Sequence, residues 1–129
     1  MLYTFPIVIP ANTPEPTVPT RLMPMTLGTI TRVLVDFPAG HIGLTHVRIR
    51  RGLYQVWPAN PEAYFTGSNQ TLEWLEAYEL DTPPFQLEAF AWNLDDTYQH
   101  TITIHFELET PGVEQSLLSS VKQLLGLGA

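Results

Sequence analysis

The chain has 129 residues but no cysteine, few basic residues and no long apolar run. Without cysteine it can form neither disulfides nor thiolate metal sites. Six basic residues against 13 acidic ones give a formal net charge of −7, which repels a phosphate backbone. Its apolar runs fall short of the roughly 20 residues that a membrane-spanning helix needs. We therefore expect neither a nucleic-acid partner nor a membrane partner.

Sequence signatures of catalysis are also missing. The serines lack the Gly-x-Ser-x-Gly arrangement of a nucleophile elbow, and there is no glycine-rich phosphate loop. Glu76 shares the alternation register of Trp74 and Tyr78, which indicates a bulge or a buried polar contact rather than one of a pair of catalytic carboxylates. We expect a non-enzymatic protein.

The histidines do not have the spacing of a metal-binding cupin, which places two histidines one residue apart on a strand. We expect them to face solvent, and we expect no metal ion and no cofactor. Asn93, Asp95 and Asp96 could supply oxygen ligands for calcium, but the same residue types are typical of a β-turn, which is the interpretation we favour. The four histidines are His41, His46, His100 and His105.

What the sequence does contain is alternation of apolar and polar residues with period two. The plainest case runs from Thr101 to Glu109, where four apolar side chains share one face and polar ones take the other. This is the pattern of a half-buried antiparallel strand, and its repetition in six stretches predicts an all-β domain. The apolar residues of the last stretch are Ile102, Ile104, Phe106 and Leu108.

The chain divides into three parts. Residues 1–27 carry six prolines, which suit an edge strand followed by an extended arm. Residues 28–109 predict an antiparallel β-sandwich of seven or eight strands, counting the N-terminal edge, of the jelly-roll type, with an immunoglobulin-like sandwich as the alternative. Residues 110–129 predict one amphipathic α-helix and a short tail.

Two of these parts could mediate assembly. The arm is either a flexible tail or a segment that lies across a neighbouring subunit. The helix either folds back on its own sandwich or docks on another subunit, because a single short helix is marginal in water until its apolar stripe is covered. If both parts bind neighbours, the assembly contacts are Phe5, Ile7, Ile9, Val18, Leu22, Leu117, Val121 and Leu124.

Four aromatic residues are candidates for binding a ligand or a partner. They lie at strand ends, in the long loop 58–69 or in a polar-facing register, where exposed rings could stack on a sugar or form an interface hot spot. Packing in the core or at its rim is the alternative for each of them. The four are Trp57, Tyr64, Phe65 and Trp92.

Three segments carry a resemblance to a known class. The segments 35–40 (VDFPAG), 54–61 (YQVWPANP) and 91–104 (AWNLDDTYQHTITI) resemble small β proteins found among the virion genes of tailed bacteriophages, over roughly residues 28–108. The resemblance implies a structural role in the virion, such as capsid decoration, cementing, or a neck or tail attachment, with the major capsid protein or other virion proteins as partners. It implies no catalytic residues.

From this resemblance and the architecture we expect a non-enzymatic virion protein that self-associates, with a trimer as the expected oligomer. A carbohydrate-binding module that uses Trp57, Tyr64 and Trp92 is the alternative. A metal-dependent cupin-like enzyme is a third hypothesis.

Overall fold

The computed structural model describes residues 1–111, and in that part of the chain all regular structure is β-strand. The expected all-β class is therefore confirmed. The expected helix, with Leu117, Val121 and Leu124, lies outside the described residues. Within residues 1–111 there is no helix long and apolar enough to cross a membrane. The strands are β1 (Leu2–Ile9), β2 (Arg21–Pro24), β3 (Gly28–Phe37), β4 (Thr45–Arg51), β5 (Tyr54–Trp57), β6 (Phe65–Thr66), β7 (Gln70–Leu80), β8 (Gln86–Asn93) and β9 (His100–Glu109).

The strands form two antiparallel sheets. The first sheet has the order β1-β9-β3-β7, and the second has the order β2-β8-β4-β5, with the two-residue β6 also paired to β4. Side chains from both sheets meet in one hydrophobic core, so the arrangement is sandwich-like. The alternation in β9 works as predicted, because Ile102, Ile104, Phe106 and Leu108 are all fully buried there. Burying each such side chain stabilises the fold by about 1.5–3 kcal/mol.

Strand β1 is the edge of the first sheet and pairs only with β9. Its proline, Pro6, stands at a sheet edge, where a missing backbone donor costs least. Phe5, Ile7 and Ile9 point inward and are buried in the core of their own domain. The expectation that these three residues contact a neighbouring subunit is wrong, because their side chains already close the sandwich to which they belong.

The N-terminal arm lies on its own domain. It leaves β1, crosses to the second sheet and follows β8, where Thr13 exchanges two backbone hydrogen bonds with Asn93. Thr20 then donates its backbone N–H to the Ala89 carbonyl, and β2 pairs with β8 directly afterwards. The arm is therefore neither a flexible tail nor a segment that lies across a neighbouring subunit, the two alternatives predicted. It connects the two sheets of its own domain. Val18 and Leu22 are the predicted contact residues of this segment that remain exposed.

Candidate functional site

The four predicted aromatic residues separate into two clusters. Trp57 and Phe65 pack with Trp74 between the sheets, with ring centroids 6.0 Å apart for Trp57–Trp74 and 5.1 Å for Phe65–Trp74. Tyr64 and Trp92 meet on the outer face of the second sheet, with centroids 5.4 Å apart. The structure therefore does not bring the four together in one binding platform.

The Trp57 cluster is built around a carboxylate. Glu76 Oε1 accepts one hydrogen bond from Trp57 Nε1 at 2.8 Å and one from Trp74 Nε1 at 3.1 Å. The pairing of β7 with β3 changes register beside this residue, between the Ile30–Tyr78 and Arg32–Leu75 pairs. The register change fits the bulge expected from the sequence, and the polar contact expected for Glu76 is present but only partly buried. This cluster holds the sandwich together and leaves Trp57 only 6% exposed.

Trp92 sits in the second cluster, beneath other side chains. The His46 ring stacks on it at 5.3 Å, the Tyr64 ring meets it edge-on, and the Arg48 guanidinium lies 5.1 Å from the ring centroid. Trp92 is 6% exposed. A sugar-stacking platform needs an open ring face, and neither Trp57 nor Trp92 offers one. The predicted use of these two residues in carbohydrate binding is therefore not supported, while Tyr64 remains about half exposed.

The covering of this outer face comes from the arm and from the long loop. Arg48, 5% exposed, places Nη2 2.8 Å from Glu15 Oε1 of the arm and donates to the Glu62 carbonyl oxygen at 3.1 Å. Burial lowers the pKa of His46, the Glu15 carboxylate opposes this shift in part, and the neighbouring Arg48 charge adds to it. The expectation of a solvent-facing His46 is wrong, because alternation shows which way a side chain points but not what lies over it.

A cleft of about 380 Å³ opens beside this cluster. It is lined by two guanidinium groups and two carboxylates together with the Tyr64 ring. Within residues 1–111, no group of three or more His, Asp or Glu side chains is placed to hold a metal ion. The lining residues are Glu15, Arg48, Arg50, Glu62 and Tyr64.

The other candidate surface is one end of the sandwich, formed by residues 38–44 and 94–99, which we call the loop end. The buried His41 ring of this end lies beside the partly buried ring of His100, the first residue of β9, with the two ring centroids 4.4 Å apart. His41 Nδ1 lies 2.6 Å from Thr45 Oγ1, and His100 Nε2 lies 2.8 Å from Asp95 Oδ2. His41 is 1% exposed, so the expectation that it faces solvent is also wrong.

Two groups of this end, His41 and Asp95, have a lowered pKa. Burial lowers the pKa of His41, the nearby His100 lowers it further, and Asp36 opposes the shift in part. The pKa of Asp95 is lowered by the backbone N–H of Thr97, with smaller contributions from His100 and the Tyr98 N–H. Asp95 therefore serves as the acceptor that holds its own loop in shape.

The Asn and Asp side chains of this loop hydrogen-bond the local backbone, as the turn interpretation expected of them. Asn93 Oδ1 accepts from the Asp95 N–H, and Asp95 Oδ1 accepts from the N–H groups of Thr97 and Tyr98. A carboxylate used for local backbone contacts has fewer lone pairs for a cation. These bonds follow the short-range capping that Asn and Asp make in turns.

The loop end presents apolar side chains to solvent. Residues 41–44 form a turn in which the Leu44 N–H donates to the His41 carbonyl, with Ile42 at φ 50° and Gly43 at φ 71°. Leu94, whose N–H donates to the Leu44 carbonyl, and Tyr98 are exposed on the adjoining loop.

Sequence reasoning missed Ile42, Leu94 and Tyr98. No sequence signal pointed to them, because the unusual feature of Ile42, a β-branched residue at a turn position that favours Asn or Gly, is visible only once the turn is known. A comparison with known proteins gave no match to a protein family, to a curated protein or to a solved structure.

Proposed function

We propose that the chain is a non-enzymatic structural component of a virus particle, built on a jelly-roll sandwich and acting through protein–protein contacts. The observation that carries the proposal is the nesting of the strand pairs. β1 pairs with β9, β2 with β8, β3 with β7 and β4 with β5, all antiparallel. The chain is thus one long hairpin folded over on itself.

Nested pairing of this kind is the pattern of a double-sheet jelly roll. Viral capsid domains, lectin domains and cupins use the proposed architecture, which gives three classes to compare. Among residues 1–111 no metal-ligand cluster supports the cupin class. The likeness of residues 28–108 to phage virion proteins favours the first class.

The surface supports a role in protein–protein contacts. Exposed apolar side chains stand on loops that many hydrogen bonds hold in place, and such preorganised surfaces lose little conformational entropy when they bind. The largest are Ile42 and Tyr98 at the loop end and Leu53 and Tyr54 at the β4–β5 turn.

The carbohydrate-binding alternative has weaker support. It shares the proposed architecture with lectin domains, but two of its three proposed aromatic residues, Trp57 and Trp92, are nearly buried. A glycan array probed with the purified chain tests it, and glycan binding that a Tyr64→Ala variant loses would favour this alternative over ours.

The proposed function is tested on particles. Virions purified by density gradient from cells in which the gene is expressed from its native genome should contain the chain at a fixed copy number per particle, measured by quantitative mass spectrometry. Its complete absence from particles, with the chain present in the same cells, would contradict the proposal.

A further inference from the structure

The two ends of the sandwich both expose apolar side chains, and they differ in charge. At the loop end, Ile42, Leu94 and Tyr98 are exposed, and residues 38–44 and 94–99 include two aspartates but no lysine or arginine. The Asp95 side chain accepts hydrogen bonds from its own loop, whereas the exposed Asp96 accepts one hydrogen bond, from the Thr97 hydroxyl group. This end therefore combines apolar and acidic character.

Ile42 is the strongest indication that the loop end binds a partner. A β-branched residue in the left-handed region is a conformational outlier, since its side chain crowds the backbone there. Its side chain is 78% exposed, so packing within the described domain does not offset the strain. Asparagine or glycine would form the same turn with less strain. An exposed isoleucine at this position is explained if a partner buries it.

The opposite end is the turn between β4 and β5. Strand β4 begins at the loop end and carries the chain about 20 Å away from it before the turn at Gly52 and Leu53. Leu53 is 96% exposed and Tyr54 is 80% exposed. We call residues 50–54 the hairpin end.

Residues 50–54 of the hairpin end include two arginines and no acidic residue, and Glu88 of β8 stands opposite Arg50. Arg50 and Arg51 precede the turn, and within residues 1–111 neither forms an ion pair with a carboxylate. Arg50 lies over the Phe90 ring, at 4.7 Å from its centroid. Arg51 donates to the backbone carbonyls of Glu79 and Thr82. These hydrogen bonds orient its side chain but do not neutralise its positive charge, because the acceptors are uncharged.

We propose that the hairpin end of one copy of this chain docks on the loop end of the next copy. Charge complementarity favours a second copy of the chain as the partner, because the guanidinium groups of its hairpin end would approach Asp96. The apolar side chains of the two ends would cover each other, with Leu53 and Tyr54 of one copy against Ile42, Leu94 and Tyr98 of the next. Two loop ends placed face to face would instead bring aspartates together.

A head-to-tail contact uses two different patches of each subunit. It closes into a ring if the rotation between subunits allows, and otherwise grows into an open array. The inference identifies a second copy of the chain as a partner in the proposed structural role. The contact itself does not depend on that role; only its biological use rests on the proposed function.

The test uses two variants of the full chain, Ile42→Asn and Leu53→Asn, each of which disables one end. The wild-type chain should show concentration-dependent self-association by light scattering and sedimentation. Each variant alone should associate about tenfold to a hundredfold more weakly, since one apolar side chain is lost from the contact. An equimolar mixture of the two variants should form a one-to-one dimer, because each retains the end that the other lacks.

Three results would overturn the inference: a wild-type chain that stays monomeric up to its solubility limit, a Leu53→Asn variant that associates as strongly as wild type, or a mixture that forms no dimer. Thermal unfolding checks folding, and Ile42→Asn should unfold no earlier than wild type because asparagine tolerates the turn. Asp96→Lys supplies a second loop-end variant with the same expected loss. The proposed function is tested separately, by whether purified particles contain the chain, so either proposal can fail without the other.

Discussion

At the scale of single residues, the carboxylate of Glu76 serves two indole donors at once. Both Trp57 and Trp74 donate to the same oxygen, at 2.8 and 3.1 Å, and Trp57 is nearly buried. Removing a shared acceptor leaves both donors without a partner, and the cost of such orphaned groups exceeds the net value of the bonds. Glu76 is thus a structural residue although it is an acid.

We predict that Glu76→Ala lowers the free energy of unfolding by about 2 to 4 kcal/mol, as measured by urea denaturation followed through tryptophan fluorescence. Glu79→Ala is the matched control on the outward face of the same strand, where a change within about 0.5 kcal/mol is expected. Equal losses in the two variants would show that the indole contacts add nothing.

His41 makes stability depend on pH. Its pKa is lowered in the folded state from the ordinary 6.5, mainly by burial and then by His100, while Asp36 acts in the opposite direction. Below about pH 6.5 the unfolded chain therefore binds a proton that the folded chain resists. This contribution to stability is complete above that pH and is lost progressively as the pH falls.

We predict that the wild-type chain loses stability between pH 7 and pH 5 and that His41→Asn loses less, in urea titrations at each pH. One histidine contributes at most about 1.4 kcal/mol per pH unit. His46, whose pKa is also lowered by burial, supplies a second such contribution. A variant with both His41→Asn and His46→Asn should therefore show the smallest change of stability with pH. A His41→Asn profile as steep as that of wild type would contradict the assignment.

At the scale of elements, the nested strand pairs give folding a natural starting point. The two-residue turn at Gly52 and Leu53 joins the innermost pair, β4 and β5, and each further pair closes around the one before it. Local pairs form with a small loss of loop entropy, so the inner hairpin is expected to be present in the folding transition state.

Two glycines test this order. Gly52 at φ 60° and Gly40 at φ 98° both adopt conformations that disfavour a side chain, and an added Cβ would meet no atom within 4 Å at either one. Alanine at each position should therefore cost about 1 kcal/mol. In stopped-flow measurements we predict that Gly52→Ala slows folding about fivefold, whereas Gly40→Ala mainly accelerates unfolding. The reverse assignment of rates would place the nucleus elsewhere.

At the scale of the whole molecule, the first strand is essential for the core. Ile7 is fully buried, while its neighbour Val8 faces solvent on the same strand. We predict that Ile7→Ala costs about 2 to 5 kcal/mol of unfolding free energy and Val8→Ala less than about 0.5 kcal/mol, by chemical denaturation. Deletion of residues 1–9 should abolish the fold, because its losses together exceed the stability of a typical domain. A folded deletion variant would contradict this account.

Much of this fold could be predicted from the sequence, because half-buried strands leave a local trace. Alternation located β9 and most of β3, β4, β7 and β8, and the register of Glu76 indicated its inward position. Strand β2 left almost no trace, since only Met23 of its four residues points into the core. Its place is set by pairing with β8, which is a tertiary contact.

The surface was harder to predict for the same reason. The burial of His46, Arg48 and Trp92 depends on an arm and a loop that cross the outer face, and no local pattern records that covering. Ile42 was missed because its exposure and its backbone angle are properties of the folded turn.

The pairing of β1 with β9 also has a consequence during synthesis. The ribosome makes β1 well before its partner, because residues 10–99 separate the two strands, so at about 5–20 residues per second this apolar strand waits roughly 5 to 20 seconds for β9. An unpaired strand of that kind is a hazard for aggregation in a crowded cell. Pro6, in the middle of β1, removes one backbone donor and makes the waiting strand a poor template for a neighbouring nascent chain.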